Sequence, residues 1–246
     1  MRAITPSDRD VRLLTPDEFA RRIQARSPRK KIAAYLALLF WLGVLASKPF
    51  LKRVLDLGGA IIGMLLLSPL LLITALIIKL ESPGPVFYTQ IRVGKRGKPF
   101  TIYKFRSMGV TADAEREALL DQNDSSDGVL FKAKADPRIT RFGKIIRRLS
   151  IDELPQLLNV VIGDMSLVGP RPALPEEVAQ YDAQARKRLQ TKPGLTCIWQ
   201  ISGRSDIPFR QQVELDVRYL SAKSVVKDLS IIFKTVPAVL SGKGAY

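Results

Sequence analysis

The chain has 246 residues, enough for one large domain or for one domain with a membrane segment, and 46% apolar residues exclude a disordered protein. Lysine and arginine number 39 against 23 aspartates and glutamates, and the resulting charge of +16 indicates an anionic partner: nucleic acid, an acidic membrane or a phosphorylated substrate. Histidine is absent and Cys197 is the single cysteine, which excludes an internal disulfide, an imidazole-ligated metal and a Ser-His or Cys-His nucleophile.

Residues 1–50 form a basic N-terminal segment. Its start, MRAITPSDRD, carries acidic residues and lacks an apolar run after the first basic ones, unlike a secretory signal, so we expect the chain to begin in the cytoplasm. The segment contains a short apolar stretch at residues 32–46. This stretch is short for a membrane span, and an interfacial position, a core position or one half of a hairpin are all open.

Residues 51–81 are predicted to form a re-entrant membrane helix. Their uncharged part, residues 57–78, is long enough to cross a bilayer core of roughly 30 Å. Ser68 and Pro69 interrupt it, and because proline removes a backbone hydrogen bond and clashes with the preceding turn, we predict a break there. Each leg then reaches about 15 to 18 Å, which suits one leaflet.

Basic residues lie on both sides of this stretch, and no acidic residue occurs between positions 82 and 112. If basic flanks mark the cytoplasmic side of a membrane, both ends of the stretch are cytoplasmic. We therefore favour a re-entrant hairpin over a spanning helix that residues 32–46 would precede as a first crossing. In either topology residues 82–246 form a cytoplasmic domain, whose cations can contact anionic lipid.

The cytoplasmic part begins with two β-prone runs, residues 86–93 and 99–105, which a glycine-containing turn joins into a predicted antiparallel hairpin. Helical periodicity follows in five stretches, at residues 113–121, 154–162, 175–190, 209–223 and 225–240. The pattern predicts an α+β fold, mostly helical with a small antiparallel sheet.

Residues 147–159 place two arginines just before two adjacent carboxylates, Asp152 and Glu153. A capping box from Ser150 to Glu153 explains the pair without any chemistry. That register puts Pro155 at the fifth helical position, where its missing N–H would be needed. With Asp152 as the N-cap, Pro155 takes the third position, where no hydrogen bond is lost, and we therefore predict that the helix starts there.

Beside Arg147 and Arg148, at the positive end of a helix, Asp152 is expected to stay ionised. An ionised carboxylate among cations can attack phosphorus. Glu153 could hold Mg²⁺, the kind of oxygen-ligated metal open to a chain without histidine, and so neutralise charge on a diphosphate. Asp152 and Glu153 are thus the candidate catalytic residues, and Glu153 is the candidate metal ligand.

Further cations lie in turns. Arg171 stands between two prolines, which suits bidentate phosphate binding or pairing with a structural carboxylate. Lys104 and Arg106 close the hairpin and could contact phosphate or lipid headgroups. Arg204 follows Trp199 in a turn, and Trp199 fits a core position better than a platform for base stacking.

Neither a P-loop nor a G-x-G-x-x-G fingerprint occurs, which disfavours P-loop kinases and Rossmann dehydrogenases. No RRM, KH or zinc-finger pattern occurs either. A nucleic-acid-binding protein and a non-catalytic lipid-binding scaffold are both disfavoured by the acidic pair, because electrostatic binding surfaces usually exclude carboxylates.

These strings, in this order, resemble the bacterial sugar transferase family, the monotopic phosphoglycosyl transferases that begin exopolysaccharide, capsule, O-antigen and glycoprotein glycan assembly. The resemblance runs from about residue 52 to residue 246. It rests on these residues: Lys52-Arg53, Asp56, Ser68-Pro69, Ser82-Pro83-Gly84-Pro85, Gln90, Arg92, Lys104-Phe105-Arg106-Ser107-Met108, Asp136-Pro137-Arg138, Asp152-Glu153-Leu154-Pro155-Gln156, residues 163–172, Lys192-Pro193-Gly194 and Gly203-Arg204.

The resemblance implies a ping-pong reaction at the cytoplasmic face of the bacterial inner membrane. Asp152 would attack the β-phosphate of a UDP-sugar, release UMP and carry a covalent sugar phosphate. Undecaprenyl phosphate would then take up the sugar phosphate. Glu153 would bind Mg²⁺, and the Ser68-Pro69 break would form the re-entrant helix. The implied phosphate-binding residues are Arg147, Arg171, Lys104, Arg106 and Arg204.

Two departures from the family pattern limit what the resemblance implies for this chain. Larger members carry a multi-span N-terminal region that residues 1–50 do not match, and Cys197 stands where many members have glycine. The sugar, the glycan pathway and the oligomeric state, including a homodimer, stay open.

Overall fold

The computed structural model describes residues 28–112, residues 136–242 and Gly244, and for residues 28–34 and 36–48 it describes the backbone alone. Contacts divide the chain into two units, Met1–Pro49 and Phe50–Tyr246. The candidate site lies wholly within the second unit. The helix predicted at residues 113–121 lies outside the described residues.

Helix α1, Pro28–Glu81, contains both apolar stretches of the sequence. Within the described part of the chain, one helical segment, Pro49–Glu81, is long and apolar enough to cross a membrane. Its most apolar window has a mean hydropathy of 2.7 and is only 11% buried. An apolar surface so little covered by protein indicates a membrane or another apolar neighbour.

The helical backbone continues through Ser68 and Pro69, so the predicted break does not divide α1 into two separate helices. Pro69 lacks the N–H that would reach the Leu65 carbonyl, and the Ser68 hydroxyl donates to that carbonyl at 2.8 Å. Hydroxyl side chains that satisfy a freed carbonyl are one of the ways in which membrane helices tolerate proline.

Residues on both sides of Ser68-Pro69 pack on the same domain. Three residues before the pair join the main core: Leu55, Ala60 and Met64. Three residues after the pair pack on a second core with Phe105 and Ile146: Leu71, Ala75 and Ile78. Three leucines that flank the pair are instead highly exposed: Leu65, Leu66 and Leu72.

The predicted hairpin is confirmed. Strand β1, Phe87–Val93, pairs antiparallel with β2, Pro99–Phe105, and a short 3-10 turn, Lys95–Gly97, connects them. Arg96 takes a left-handed conformation with φ of 59° in this turn. Alternation along β1 turns Tyr88, Gln90 and Arg92 inward, toward the site.

A second small sheet is absent from the sequence prediction. Strand β3, Ser166–Val168, pairs in parallel with β4, Gly194–Thr196. The expectation of one small antiparallel sheet is therefore incomplete, because two short parallel strands accompany the hairpin.

The remaining described elements are helical, and most of them fall in the stretches predicted as helical. The α-helices are α2 (Arg141–Arg148), α3 (Leu157–Ile162), α4 (Pro175–Ala179), α5 (Ala183–Arg186), α6 (Phe209–Ser221) and α7 (Val225–Ser241). The predicted helix at residues 175–190 is divided, because Asp182 accepts the Ala185 N–H at 2.7 Å and so caps a new helix. Helix α2 was not predicted; Thr140 caps it by accepting the Gly143 N–H at 2.9 Å.

Candidate active site

The Asp152-Glu153 pair lies in a 3-10 helix, Ile151–Gln156, that leads directly into α3. Its N-cap is Ser150, with φ of 52°, so the prediction that Asp152 is the N-cap is wrong and Pro155 takes the fifth position. A proline without an N–H cannot complete the bonding of an α-helix, and the chain keeps the tighter 3-10 winding before Leu157. Both carboxylates lie in the first turn, the electropositive end of a helix.

All of the predicted site residues outside α1 line one cavity of about 460 Å³ in the second unit. A cavity of this size is within the range of small-molecule sites. Ser68 and Pro69 do not contribute to its lining. The predicted residues that meet there are Lys104, Arg106, Arg147, Asp152, Glu153, Arg171 and Arg204.

Three of the five predicted phosphate-binding cations already have protein partners. The Lys104 ammonium lies 2.7 Å from Glu153 Oε1. Arg106 donates to the carbonyls of Pro83 and Ser82, at 2.6 and 2.8 Å, and so braces the turn that follows α1. The third, Arg204, donates to the hydroxyl of the residue just before the 3-10 helix.

Arg147 and Arg171 are different. Both guanidinium groups line the cavity, and within the residues that the structure describes neither takes part in a hydrogen bond or an ion pair. A guanidinium presents five N–H donors in a fixed fork that matches the oxygens of a phosphate. These two arginines are therefore the cations best placed to accept an anionic ligand.

The two adjacent carboxylates have opposite electrostatic environments. The pKa of Asp152 is raised to about 6, because burial and the neighbouring Glu153 charge together outweigh the lowering by Lys104 and Arg147. Burial would also raise the pKa of Glu153, but Lys104 and Arg171 outweigh that effect and lower it to about 2. Asp152 is thus the more basic of the two carboxylates, contrary to the expectation that its cations dominate, yet it is mostly ionised at neutral pH.

Arg171 projects from the loop between β3 and α4, and this loop is pressed against β4. The Gly169 N–H donates to the Thr196 carbonyl at 3.0 Å, and the Gly194 N–H donates to the Pro170 carbonyl at 2.8 Å. A Cβ at Gly169 or Gly194 would collide with the backbone of the opposite segment. Two glycine-containing turns that are distant in sequence therefore form one rigid support for Arg171.

Sequence reasoning assigned no role to several other residues that line the cavity, including Gln90, Arg92, Arg138 and Glu177. Alternation along β1 could have identified Gln90 and Arg92, because it places them on the inward face. Trp199 is 3% exposed and packs with Cys197 and Ile207, in agreement with its predicted core position, while it also lines the cavity.

Comparisons with known proteins agree with these features. Residues 47–242 match the model of the family described as bacterial sugar transferase. The chain is 47% identical to the galactosyl transferase CpsE of Streptococcus agalactiae over 195 residues, which are 79% of this chain and 43% of CpsE. It is 40% identical to the exopolysaccharide production protein ExoY of Sinorhizobium fredii over 198 residues, 79% of this chain and 88% of ExoY.

A third relative, from Aeromonas hydrophila, is a UDP-N-acetylgalactosamine-undecaprenyl-phosphate N-acetylgalactosaminephosphotransferase that is 42% identical over 214 residues, 83% of this chain and 48% of the relative. The matched region thus spans less than half of some relatives and most of ExoY. It includes the acidic pair and every cation of the cavity. The chain belongs to the bacterial sugar transferase family.

Proposed function

We propose that the protein transfers a sugar 1-phosphate from a UDP-sugar to undecaprenyl phosphate, giving undecaprenyl-diphosphate-sugar and UMP. The observation that carries the proposal is the meeting of a basic, buried Asp152 in one cavity with two arginines, Arg147 and Arg171, that have no hydrogen bond or ion pair among the described residues. The Aeromonas relative, named for a UDP-sugar and undecaprenyl phosphate, supports both substrates, and ExoY supports a place in exopolysaccharide synthesis.

In the first step, an oxygen of the Asp152 carboxylate attacks the β-phosphorus of the UDP-sugar. The bond from this phosphorus to the bridging oxygen breaks, and UMP leaves with that oxygen and its electron pair. Asp152 then carries the sugar phosphate as an acyl phosphate. Arg147 and Arg171 hold the phosphate oxygens and stabilise the charge that the leaving group gains.

In the second step, a phosphate oxygen of the lipid acceptor attacks the same phosphorus. The bond between Asp152 and phosphorus breaks, the carboxylate is regenerated and the lipid diphosphate forms. The buried position of Asp152, 8% exposed, limits the access of water to the acyl phosphate and so favours transfer over hydrolysis.

The donor set also suits Mg²⁺. No cluster of three metal-binding side chains occurs within the described residues, but Mg²⁺ usually takes only one or two carboxylates and completes its shell with phosphate oxygens and water. Glu153, whose pKa is about 2, stays ionised and offers the hard oxygen ligand that this ion prefers. When bound there, Mg²⁺ would neutralise charge on the diphosphate.

The rate of the first step should depend on pH through Asp152. Because burial raises its pKa to about 6 and only the ionised carboxylate is nucleophilic, the rate of the UMP burst should fall about tenfold between pH 7 and pH 5. The burst is measured without acceptor, since a phosphate monoester itself titrates near pH 6. Lys104 lowers the pKa of Asp152, so Lys104→Met should move the midpoint upward. A wild-type midpoint near 4 would contradict the proposed environment.

The contacts of α1 support a re-entrant topology at the cytoplasmic face of the inner membrane. At one end of the apolar segment, Arg53 donates to the Val160 and Val161 carbonyls at 2.7 and 2.8 Å. At the other end, Glu81 accepts the Phe142 N–H at 2.9 Å. A helix that crossed the bilayer would carry one end away from this domain, whereas the exposed leucines around Pro69 suit insertion into one leaflet.

Single cysteines can test this topology in a Cys197→Ala background. Phe50 and Lys98 are exposed positions on the two sides of the apolar segment, and both Phe50→Cys and Lys98→Cys should resist an impermeant thiol reagent in intact cells. Both should react after permeabilisation, which controls for burial in protein or lipid. Labelling of just one of them in intact cells would indicate a spanning helix.

The reaction itself is tested by UMP release from a panel of UDP-sugars, with undecaprenyl phosphate and Mg²⁺. The relatives are named for different sugars, galactose and N-acetylgalactosamine, at similar identity, so the panel must include both. Absence of UMP release with every member of the panel would contradict the proposal.

A further inference from the structure

Arg92 is a buried cation in the wall of the cavity. The proposed chemistry assigns it no role. It is 6% exposed, although an unpaired buried charge is costly. Its fork is divided between two acceptors: one terminal nitrogen donates to the Pro172 carbonyl at 3.1 Å, and the other donates to Gln90 Oε1 at 2.6 Å. Arg92 therefore connects the hairpin directly to the loop that carries Arg171.

The backbone on both sides of Arg171 is held by hydrogen bonds. On its N-terminal side, Pro170 accepts from the Gly194 N–H at 2.8 Å. On its C-terminal side, Arg92 holds the Pro172 carbonyl, and the Val93 N–H donates to the Ala173 carbonyl at 2.9 Å. Arg171 lies between these hydrogen-bonded residues, and its side chain lines the cavity.

We propose that Arg92 is a positioning residue that, through the Pro172 carbonyl, holds Arg171 in the orientation needed to bind a substrate phosphate. The inference rests on the proposed function, in which Arg171 contacts the diphosphate. Arg92 is suited to this task because its planar fork fixes two nitrogens apart, one toward Pro172 and the other toward Gln90, a geometry that the single nitrogen of a lysine does not reproduce. Its positive charge also adds to that of Arg171 and attracts an anionic ligand.

The test measures the Kd of UDP, as the probe, for the purified, detergent-solubilised full chain. Turnover is therefore not required. Arg92→Lys keeps the charge but loses the fork, and it should raise the Kd of UDP about tenfold, the scale of one charge-assisted hydrogen bond. Gln90→Met removes one acceptor and leaves Arg92 in place, and a rise of about threefold is expected. An unchanged Kd in both variants would overturn the inference.

A double-mutant cycle separates positioning from direct contact. If Arg92 acts through Arg171, then Arg92→Lys should have no further effect on the Kd in an Arg171→Met background, whereas a full tenfold effect there would overturn the inference. Arg53→Lys is the matched control, because its guanidinium likewise donates two hydrogen bonds, here to the Val160 and Val161 carbonyls, but lies outside the cavity lining. It should leave the Kd of UDP within about twofold of wild type. A rise as large as that of Arg92→Lys would overturn the inference, because the effect would then not be specific to Arg92.

Failure of this inference differs from failure of the proposed function. If the wild-type chain releases UMP from a UDP-sugar and Arg92→Lys binds UDP normally, only the role of Arg92 is contradicted. If the wild-type chain neither binds UDP nor releases UMP, the proposed function is contradicted.

Discussion

Asp152→Asn should reduce UMP release from a UDP-sugar by about three orders of magnitude or more, because an amide of the same shape cannot form the acyl phosphate. In the wild-type chain without acceptor, intact mass should rise by one sugar phosphate, and in the variant it should not. The mass measurement reports the covalent bond directly and does not depend on the acceptor.

The fold of Asp152→Asn should survive and even gain stability. The pKa of Asp152 is raised by burial, which means that the folded state disfavours its ionised form at neutral pH, and a neutral amide removes that cost. Its melting temperature should therefore equal or exceed that of wild type. Asp164→Asn is the matched control, since Asp164 lies outside the cavity lining, and it should keep full activity. Normal turnover in Asp152→Asn would refute the nucleophile assignment.

Local signals explain what the sequence predicted well. The β1-β2 hairpin depends on two neighbouring β-prone runs and a glycine-containing turn, all within 20 residues, and its predicted strands agree with the structure to within one residue. Helices α6 and α7 likewise follow from their own periodicity. The acidic pair and its cations lie in short sequence motifs. The order of these motifs along the chain resembles that of a family, and the resemblance predicted that they share one site.

Features that depend on distant contacts were missed. Strands β3 and β4 have three residues each and pair across more than 20 intervening residues, so neither carries a pattern of its own. The basicity of Asp152 depends on burial, whereas its neighbours in sequence are cations that predicted the opposite effect. The partners of Arg106 and Arg204 also come from other segments, and composition could not separate these cations from Arg147 and Arg171, which have no hydrogen bond or ion pair where the structure describes the chain.

Arg171→Met should lower kcat/KM for the UDP-sugar by about 100-fold to 1,000-fold, the usual consequence of removing one group that stabilises transition-state charge. The effect should be this large because Arg171 has no hydrogen bond or ion pair within the described part of the chain and is held on a loop whose flanks are both bonded. Methionine keeps much of the side-chain length but offers no donor. Steady-state UMP release, measured over a range of UDP-sugar concentrations, checks the prediction.

Arg171→Lys distinguishes charge from geometry. If the fork matters, lysine should recover less than a tenth of the lost activity, because an ammonium cannot bind two phosphate oxygens in one plane. Arg210→Met is the control, since Arg210 is 94% exposed and lies outside the cavity lining, and its activity should match wild type. Full recovery by lysine would reduce Arg171 to a source of positive potential. In that case the rigid support that Gly169, Gly194 and Arg92 form around this loop would need another explanation.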